Sequence, residues 1–416
     1  MRIPRKNQTS HPHRVVVTGL GILTALGQGV AANARGFREG RTAFRTVSLF
    51  DASRQRVQKA AEIDLPDTFP VTGLSPRKQA RLDRSGRMLI LAGLEAWRQS
   101  GWEEGASLPI ILGTTSGGMP QGEAYYRQAT RHPQRLRRQA ARVMEYLTQS
   151  QGAQLAEALR VDGAITQIAN ACASGGNAIG HAWEYVRHGR ASRVLTGGYD
   201  ALCHLVFAGF DSLQALSPTT CRPFDRDRDG LALGEGAAVL ALESLESARA
   251  RGSEILGEIV GYGAASDPHN LTQPQPDGNA ALATMTAACD TAGVLPSQVD
   301  YVNAHGTGTP LNDSAEALAI NRWAGDHVRA LKVSSTKASV GHLLGGAGAI
   351  EAVVCLLALR EGWLPPNAST KSPDPLCQFR LLQSPLDAAA QYALSNSFGF
   401  GGANASLLFR RWKDAS

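Results

Sequence analysis

One thiol, two imidazoles and one ammonium group stand in small-residue turns of this chain. Cys172 sits in the run Asn170-Ala171-Cys172-Ala173-Ser174-Gly175-Gly176. Alternation over residues 164–169 predicts a short buried strand, and the spacing over residues 177–186 predicts a helix. A strand, a tight turn and a helix place the sulfur at a helix N-terminus. There the dipole and the unpaired N–H groups favour an anion, so the thiol is expected to ionise below its ordinary value of about 8.5. Small neighbours let a substrate reach the sulfur. The competing reading is a small buried hydrophobe, the common state of a free cysteine.

Three further clusters follow predicted strands. Asn303-Ala304-His305-Gly306-Thr307-Gly308-Thr309 comes directly after Tyr301-Val302. His305 is therefore accessible and near backbone donors, with Asp313 and Glu316 downstream as charges that can order the loop. A hydrogen-bonded structural histidine is the alternative. In the run from Ser335 to Gly348, Lys337 and His342 lie five apart before an apolar helix. At a helix start the dipole opposes positive charge, which keeps an imidazole neutral and able to donate to a developing oxyanion. In Asn396-Ser397-Phe398-Gly399-Phe400-Gly401-Gly402-Ala403-Asn404, glycines let backbone N–H groups and an aromatic side chain approach a ligand.

The rest of the chain must position these turns. With 416 residues, 43% of them hydrophobic, it can bury one large core or two fused ones. Val15-Val16-Val17-Thr18 predicts a buried strand leading through Gly19-Leu20-Gly21 to a helix ending near Gly40. This opening is like a dinucleotide site, but it lacks a third glycine at the required spacing and an acidic residue about 20 positions on. Strands then alternate with helices, which implies an α/β protein with largely parallel sheets. From about residue 257 the pattern restarts, implying two related halves, residues 14–256 and 257–416, behind a flexible basic tail, residues 1–13.

Composition excludes several classes. The six cysteines are scattered, without metal-ligand spacing or a disulfide pattern, which suits a reducing compartment. No apolar run approaches the roughly 20 residues of a bilayer span; the most apolar helix, residues 350–359, carries Glu351 near its start. A net charge of +6 permits an acidic partner without requiring one. Arg77, Lys78, Arg81, Arg84 and Arg87 are expected on one face of a helix continuing through Leu94, with a solvated helix face as the plain reading. Arg135, Arg138 and Arg142 are expected to share a second face, and no nucleic-acid reading module surrounds them.

Taken together, ACASGG, NAHGTGTPLND, STKASVGHLLGGAGA and NSFGFGGAN resemble the β-ketoacyl carrier-protein synthases of the thiolase superfamily, over about residues 15–409. The resemblance implies a thiolase-like α/β fold of duplicated βαβαβαββ halves in five layers, α-β-α-β-α. It implies that Cys172 takes an acyl chain from the phosphopantetheine of an acyl carrier protein, no cofactor being bound by the protein itself. The oxyanion hole is implied to be the backbone N–H groups of Cys172 and Phe400, with Gly399 and Gly401 shaping the loop and Phe400 gating the half-reactions. His305 and His342 are implied to bind the malonyl thioester and stabilise the enolate. Lys337, paired with Glu316, holds their setting, with Asp313 in support.

A thiolase carries a second cysteine in the C-terminal loop, and residues 396–404 have none; initiating synthases have asparagine where His342 stands. Inactive chain-length partner subunits lack the nucleophile that Cys172 provides. Ser116, Phe210 and Arg142 are expected at the acyl pocket, and Arg77, Lys78, Arg81, Arg137 and Arg138 at the carrier-docking surface. The arginine-rich residues 136–147, the small Ser116 and a shortened loop over 216–222 favour a specialised polyketide, polyene or aryl-capped chain over ordinary saturated-chain elongation. The expected assembly is a cytoplasmic dimer, of like subunits or with a chain-length-factor-like partner, without nucleic acid or membrane insertion. A non-catalytic acyl-binding scaffold and a cysteine hydrolase are the rival readings.

Overall fold

The computed structural model describes residues 12–134 and 139–413. Two five-stranded sheets, hydrogen-bonded edge to edge as parts of one continuous 12-stranded sheet, carry the architecture. In the N-terminal half the elements run β1 (Val15–Thr24), α1 (Arg84–Ser100), β2 (Ile110–Gly113), α2 (Gln149–Leu159), β3 (Ile165–Ile168), α3 (Ser174–Arg187), β4 (Arg193–Asp200) and β5 (Gly236–Ser244). The C-terminal half repeats this order as β6 (Gly257–Ser266), α4 (Asn279–Ala292), β7 (Tyr301–Asn303), α5 (Pro310–Ala324), β8 (Lys332–Ser334), α6 (Ala347–Glu361), β9 (Tyr392–Phe398) and β10 (Ala403–Arg410).

Both sheets have the same spatial order, β3-β2-β4-β5-β1 and β8-β7-β9-β10-β6, and Val15–Val17 of β1 pairs antiparallel with Gly257–Ile259 of β6. Four pairings are parallel, β2 with β3 and β4, and β7 with β8 and β9. Helices α3 and α6 pack between the sheets; α1 and α2 cover the outer face of one, α4 and α5 that of the other. This is a duplicated five-layer α-β-α-β-α core. Every residue of α6 from Ala347 to Leu359 is buried, as a helix apolar on all sides must be when sheets lie above and below it. Because parallel strands deliver their C-terminal ends to the same edge, the turns after β3, β7 and β8 converge there.

Two local expectations change. The Gly19-Leu20-Gly21 stretch is not a turn but the middle of β1. A Cβ at Gly19 or Gly21 would lie 2.2 Å or 1.9 Å from the carbonyl oxygens of Ala96 and Ala92, so these glycines allow α1 to lie against the strand. The basic helix expected from Arg77 through Leu94 is two helices, Pro76–Gln79 and α1. Asp83 breaks it, adopting extended backbone and accepting from Gly86 N at 2.7 Å as the N-cap of α1. Arg84 then turns inward to Glu235, donating from Nε at 2.8 Å, and Arg87 donates to the Pro66 carbonyl at 2.8 Å. The five cations therefore form no single solvated face.

Candidate active site

The nucleophile turn is strained and pinned. Ala171 has φ 56°, unusual for a residue with a Cβ, and such strain gathers at functional turns. Ser174 holds it by accepting from Asn170 N at 2.9 Å and donating to the Ala171 carbonyl at 2.5 Å. Cys172 follows, 6% exposed, within a single turn that leads into α3. Burial pushes its thiol up to about 11, against the Lys337 charge and the N–H groups of Phe400 and of Cys172 itself, which pull it down. The expectation of a readily ionised thiol is thus corrected: removal from water outweighs the helix terminus. A base must take its proton at neutral pH.

The opposite half supplies the bases. His305 follows β7, where Glu316 accepts from His305 N and Gly306 N, each at 2.8 Å, and Asp313 accepts from Thr307 N at 3.0 Å. These carboxylates hold the loop by its backbone. Lys337 Nζ lies 3.4 Å from His305 Nδ1; an ammonium can only donate there, which leaves the proton of a neutral imidazole on Nε2. The His342 ring meets that of His305 edge-on, with centroids 5.3 Å apart at 87°, and both its nitrogens are buried without a hydrogen-bond partner among the described residues. Burial first, then the Lys337 charge, lowers both imidazoles well below the ordinary histidine range. For His342 neutrality was expected from the dipole of the apolar helix that follows, but α6 begins only at Ala347. Desolvation is the cause.

Lys337 is not paired with Glu316. Its ion pair is with Glu351, the fifth residue of α6, and both side chains are buried. Glu316 is engaged instead with the His305 loop and with Asn396 Nδ2 at 3.1 Å. Glu351 was visible in the sequence as a lone carboxylate on an otherwise apolar helix, a pattern that calls for a buried cation.

Phe400 completes the enclosure. Its side chain is 38% exposed and stacks on Phe210 at 5.8 Å and 20°. Gly399 N bonds to the Ala403 carbonyl at 2.8 Å and Gly401 N to the Leu271 carbonyl at 2.7 Å. Gly402 has φ 80°, and a Cβ there would stand 2.0 Å from the Asp267 carbonyl oxygen. A cavity of about 500 Å³ is lined by Cys172, His305, His342, Phe400 and Phe210. Its walls also include Leu213, Leu271 and Leu311, each more than half exposed.

Other expected positions lie elsewhere. Ser116 is buried beside Asp200, to which its hydroxyl donates at 2.7 Å, and does not line the cavity. Arg142 donates to Gln128 at 2.7 Å and to Gln139 at 3.2 Å, again away from it. Of the docking candidates, Arg77 and Arg81 are exposed, while Lys78 donates to both oxygens of Glu157 at 2.6 and 2.7 Å. Arg137 and Arg138 lie outside the described residues, as does Arg135. No helix among the described residues is long and apolar enough to cross a membrane.

A hydrolase would leave the second imidazole idle, and this duplicated core is that of the thiolase-fold condensing enzymes. The chain belongs to the β-ketoacyl synthase family: it matches the family's N-terminal domain over residues 13–248 and its C-terminal domain over residues 256–371. It is an acyltransferase-type condensing enzyme. It is similar to 3-oxoacyl-[acyl-carrier-protein] synthase 2 of Synechocystis sp., 37% identical over 96% of this chain and 98% of that protein. Among solved structures it is similar to the ishigamide ketosynthase/chain length factor, with TM-score 0.90, 31% identity and coverage of 97% and 100%. A type II polyketide ketosynthase bound to its acyl-carrier protein and a hexaketide gives TM-score 0.86 and 26% identity, covering 97% of this chain and 100% of that one.

Proposed function

We propose that the enzyme joins a Cys172-bound acyl chain to malonyl carrier protein with loss of carbon dioxide, giving a 3-oxoacyl carrier protein. The carrying observation is that a thiol from one half and two neutral imidazoles from the other line one cavity. The acyl thioester carbonyl of an incoming carrier lies against the N–H groups of Cys172 and Phe400, which stabilise the tetrahedral oxyanion. The thiol proton passes to a neighbouring imidazole as sulfur attacks, and the carrier's phosphopantetheine thiol leaves with a proton. In the second half-reaction, Nε2–H groups of His305 and His342 bind the malonyl thioester oxygen. Carbon dioxide departs, and the enolate they stabilise attacks the acyl carbonyl, returning the sulfur to Cys172. Lys337, held by Glu351, fixes the His305 tautomer that this donation needs.

Both substrates reach the cavity on phosphopantetheine, past Phe400 and the leucines at Leu213, Leu271 and Leu311. Arg77 and Arg81 are the remaining basic candidates for the acidic carrier. The protein works in the cytoplasm, with its two halves divided near residue 256, as a dimer. The edge strand β3 and the exposed Val143, Met144 and Tyr146 form the face for the second subunit. Since the similar ishigamide structure is a ketosynthase/chain length factor pair, an inactive paralogue is the second reading for that subunit, and a polyketide-type chain the second reading for the product. Incubating the enzyme with acyl and malonyl carrier proteins tests the reaction. Mass spectrometry is expected to find acyl-Cys172 and a product two carbons longer. Acylation followed only by free acid would favour a hydrolase; no acylation, with or without a partner subunit, would favour a scaffold.

A further inference from the structure

We propose that Asp200, at the C-terminal end of β4, is a positioning residue for condensation: its carboxylate locks the His342 turn of one half onto the Cys172 half. This rests on the condensation mechanism proposed above. Asp200 is fully buried and accepts five hydrogen bonds. Oδ1 takes Thr114 Oγ1 at 2.7 Å, Ser116 N at 2.9 Å and Ser116 Oγ at 2.7 Å. Oδ2 takes Thr115 N at 2.8 Å and, from the other half, Gly345 N at 2.7 Å. Gly345 stands three residues after His342.

The contact leaves no slack. A Cβ on Gly345 would lie 2.4 Å from Thr115 N, and one on Gly175, three residues after Cys172, would lie 2.7 Å from the Gly345 carbonyl oxygen. Gly345 is therefore clasped between the turn after β2 and the start of α3, with Asp200 as the clasp. Both oxygens receive backbone N–H groups that cannot rotate away, so an amide in place of the carboxylate must set its NH₂ against at least one donor. The donors hold the group as an anion, although burial pushes its pKa up.

That anion also acts electrostatically on the nucleophile. The charged groups acting on the Cys172 thiol are Lys337, which lowers its pKa, and Asp200, which raises it; His305 and His342 beside it are neutral. Asp200 thus sets a distance and a charge together, and a substitution separates it from a purely structural residue.

The test uses the full-length enzyme and three measurements: acyl transfer to Cys172, single-turnover condensation of the acylated enzyme with malonyl carrier protein, and iodoacetamide alkylation of Cys172 against pH. In Asp200→Asn the alkylation profile is expected to move to lower pH. Condensation is expected to fall on the order of tenfold, the weight of one misplaced hydrogen bond to a charged group, and acyl transfer to fall less. Thr114→Val and Ser116→Ala each remove one hydroxyl donor and keep the charge and every backbone donor. They serve if Asp200→Asn does not fold, with condensation reduced and the alkylation profile unmoved. Normal condensation in these variants, or equal loss of both half-reactions with a stationary profile, overturns the role of Asp200. Absence of extended product from the unsubstituted enzyme refutes the condensation mechanism instead.

Discussion

Removing the carboxylate of Glu351 while leaving Lys337 probes the ion pair behind the histidines. Lys337 and Glu351 are 1% and 2% exposed, and breaking such a pair from one side strands a buried charge at a cost of roughly 3–5 kcal/mol. At ~2.1 cal/mol/K per residue, unfolding a 416-residue chain carries roughly 0.9 kcal/mol/K, so Glu351→Gln lowers Tm by about 3–6 °C. Lys337 also faces His305 Nδ1 at 3.4 Å, so its displacement releases the His305 tautomer. Malonyl decarboxylation should fall while acyl transfer to Cys172 persists. The double variant Lys337→Met/Glu351→Leu fills the space with apolar atoms and should recover most of the lost Tm without recovering decarboxylation. Scanning calorimetry and carbon dioxide release read the two effects. A Tm unchanged in Glu351→Gln, or decarboxylation restored in the double variant, would refute the account of the pair.

Three further outcomes follow from the site. Alkylation of unliganded Cys172 by iodoacetamide should still be climbing at pH 9–10, because burial holds the thiol near 11; a plateau by pH 8 contradicts that. Both imidazoles lie well below 6.5, so they remain neutral as pH falls through the usual histidine range. The acid limb of malonyl decarboxylation by the acylated enzyme should therefore lie below about 6.5, and loss of activity centred at or above that value would contradict it. Gly402→Ala cannot be accommodated beside the Asp267 carbonyl and should move the Phe400 N–H off the sulfur. Acyl transfer is then expected to drop about 10²–10³-fold, as for loss of one oxyanion donor; wild-type transfer rates would show that this N–H is not used.

The sequence made the reacting groups legible because each stands in a small-residue turn after a strand, and parallel strands bring such turns to one edge. Cys172, His305, His342 and Phe400 stand out on that basis and meet at one cavity, with Lys337 buried behind His305. Their electrostatics were not legible. Helix-terminus reasoning gave an acidic thiol, whereas the depth of the site, which depends on both sheets, reverses the direction. Partners were harder still: Glu351 looks like a polar start to an apolar helix, and the resemblance implies Glu316 as the partner of Lys337. Asp200 ends an apolar strand without any motif, and only the fold brings Gly345 onto it. The resemblance puts Ser116 in the acyl pocket, but its hydroxyl is claimed by Asp200. Asp83 ended the basic helix early because a cap outweighs continuity of charge.

The central claim is that Cys172 holds the acyl chain while the two histidines generate the carbanion. Its most direct test is a single turnover: acylated enzyme, freed of excess acyl carrier protein, mixed with malonyl carrier protein and followed by intact-protein mass spectrometry. The expected result is loss of the acyl mass from Cys172 in step with a 3-oxoacyl carrier protein two carbons longer, and no condensation by Cys172→Ala. Extended product from Cys172→Ala, or free acid as the sole fate of the acyl group, would contradict it.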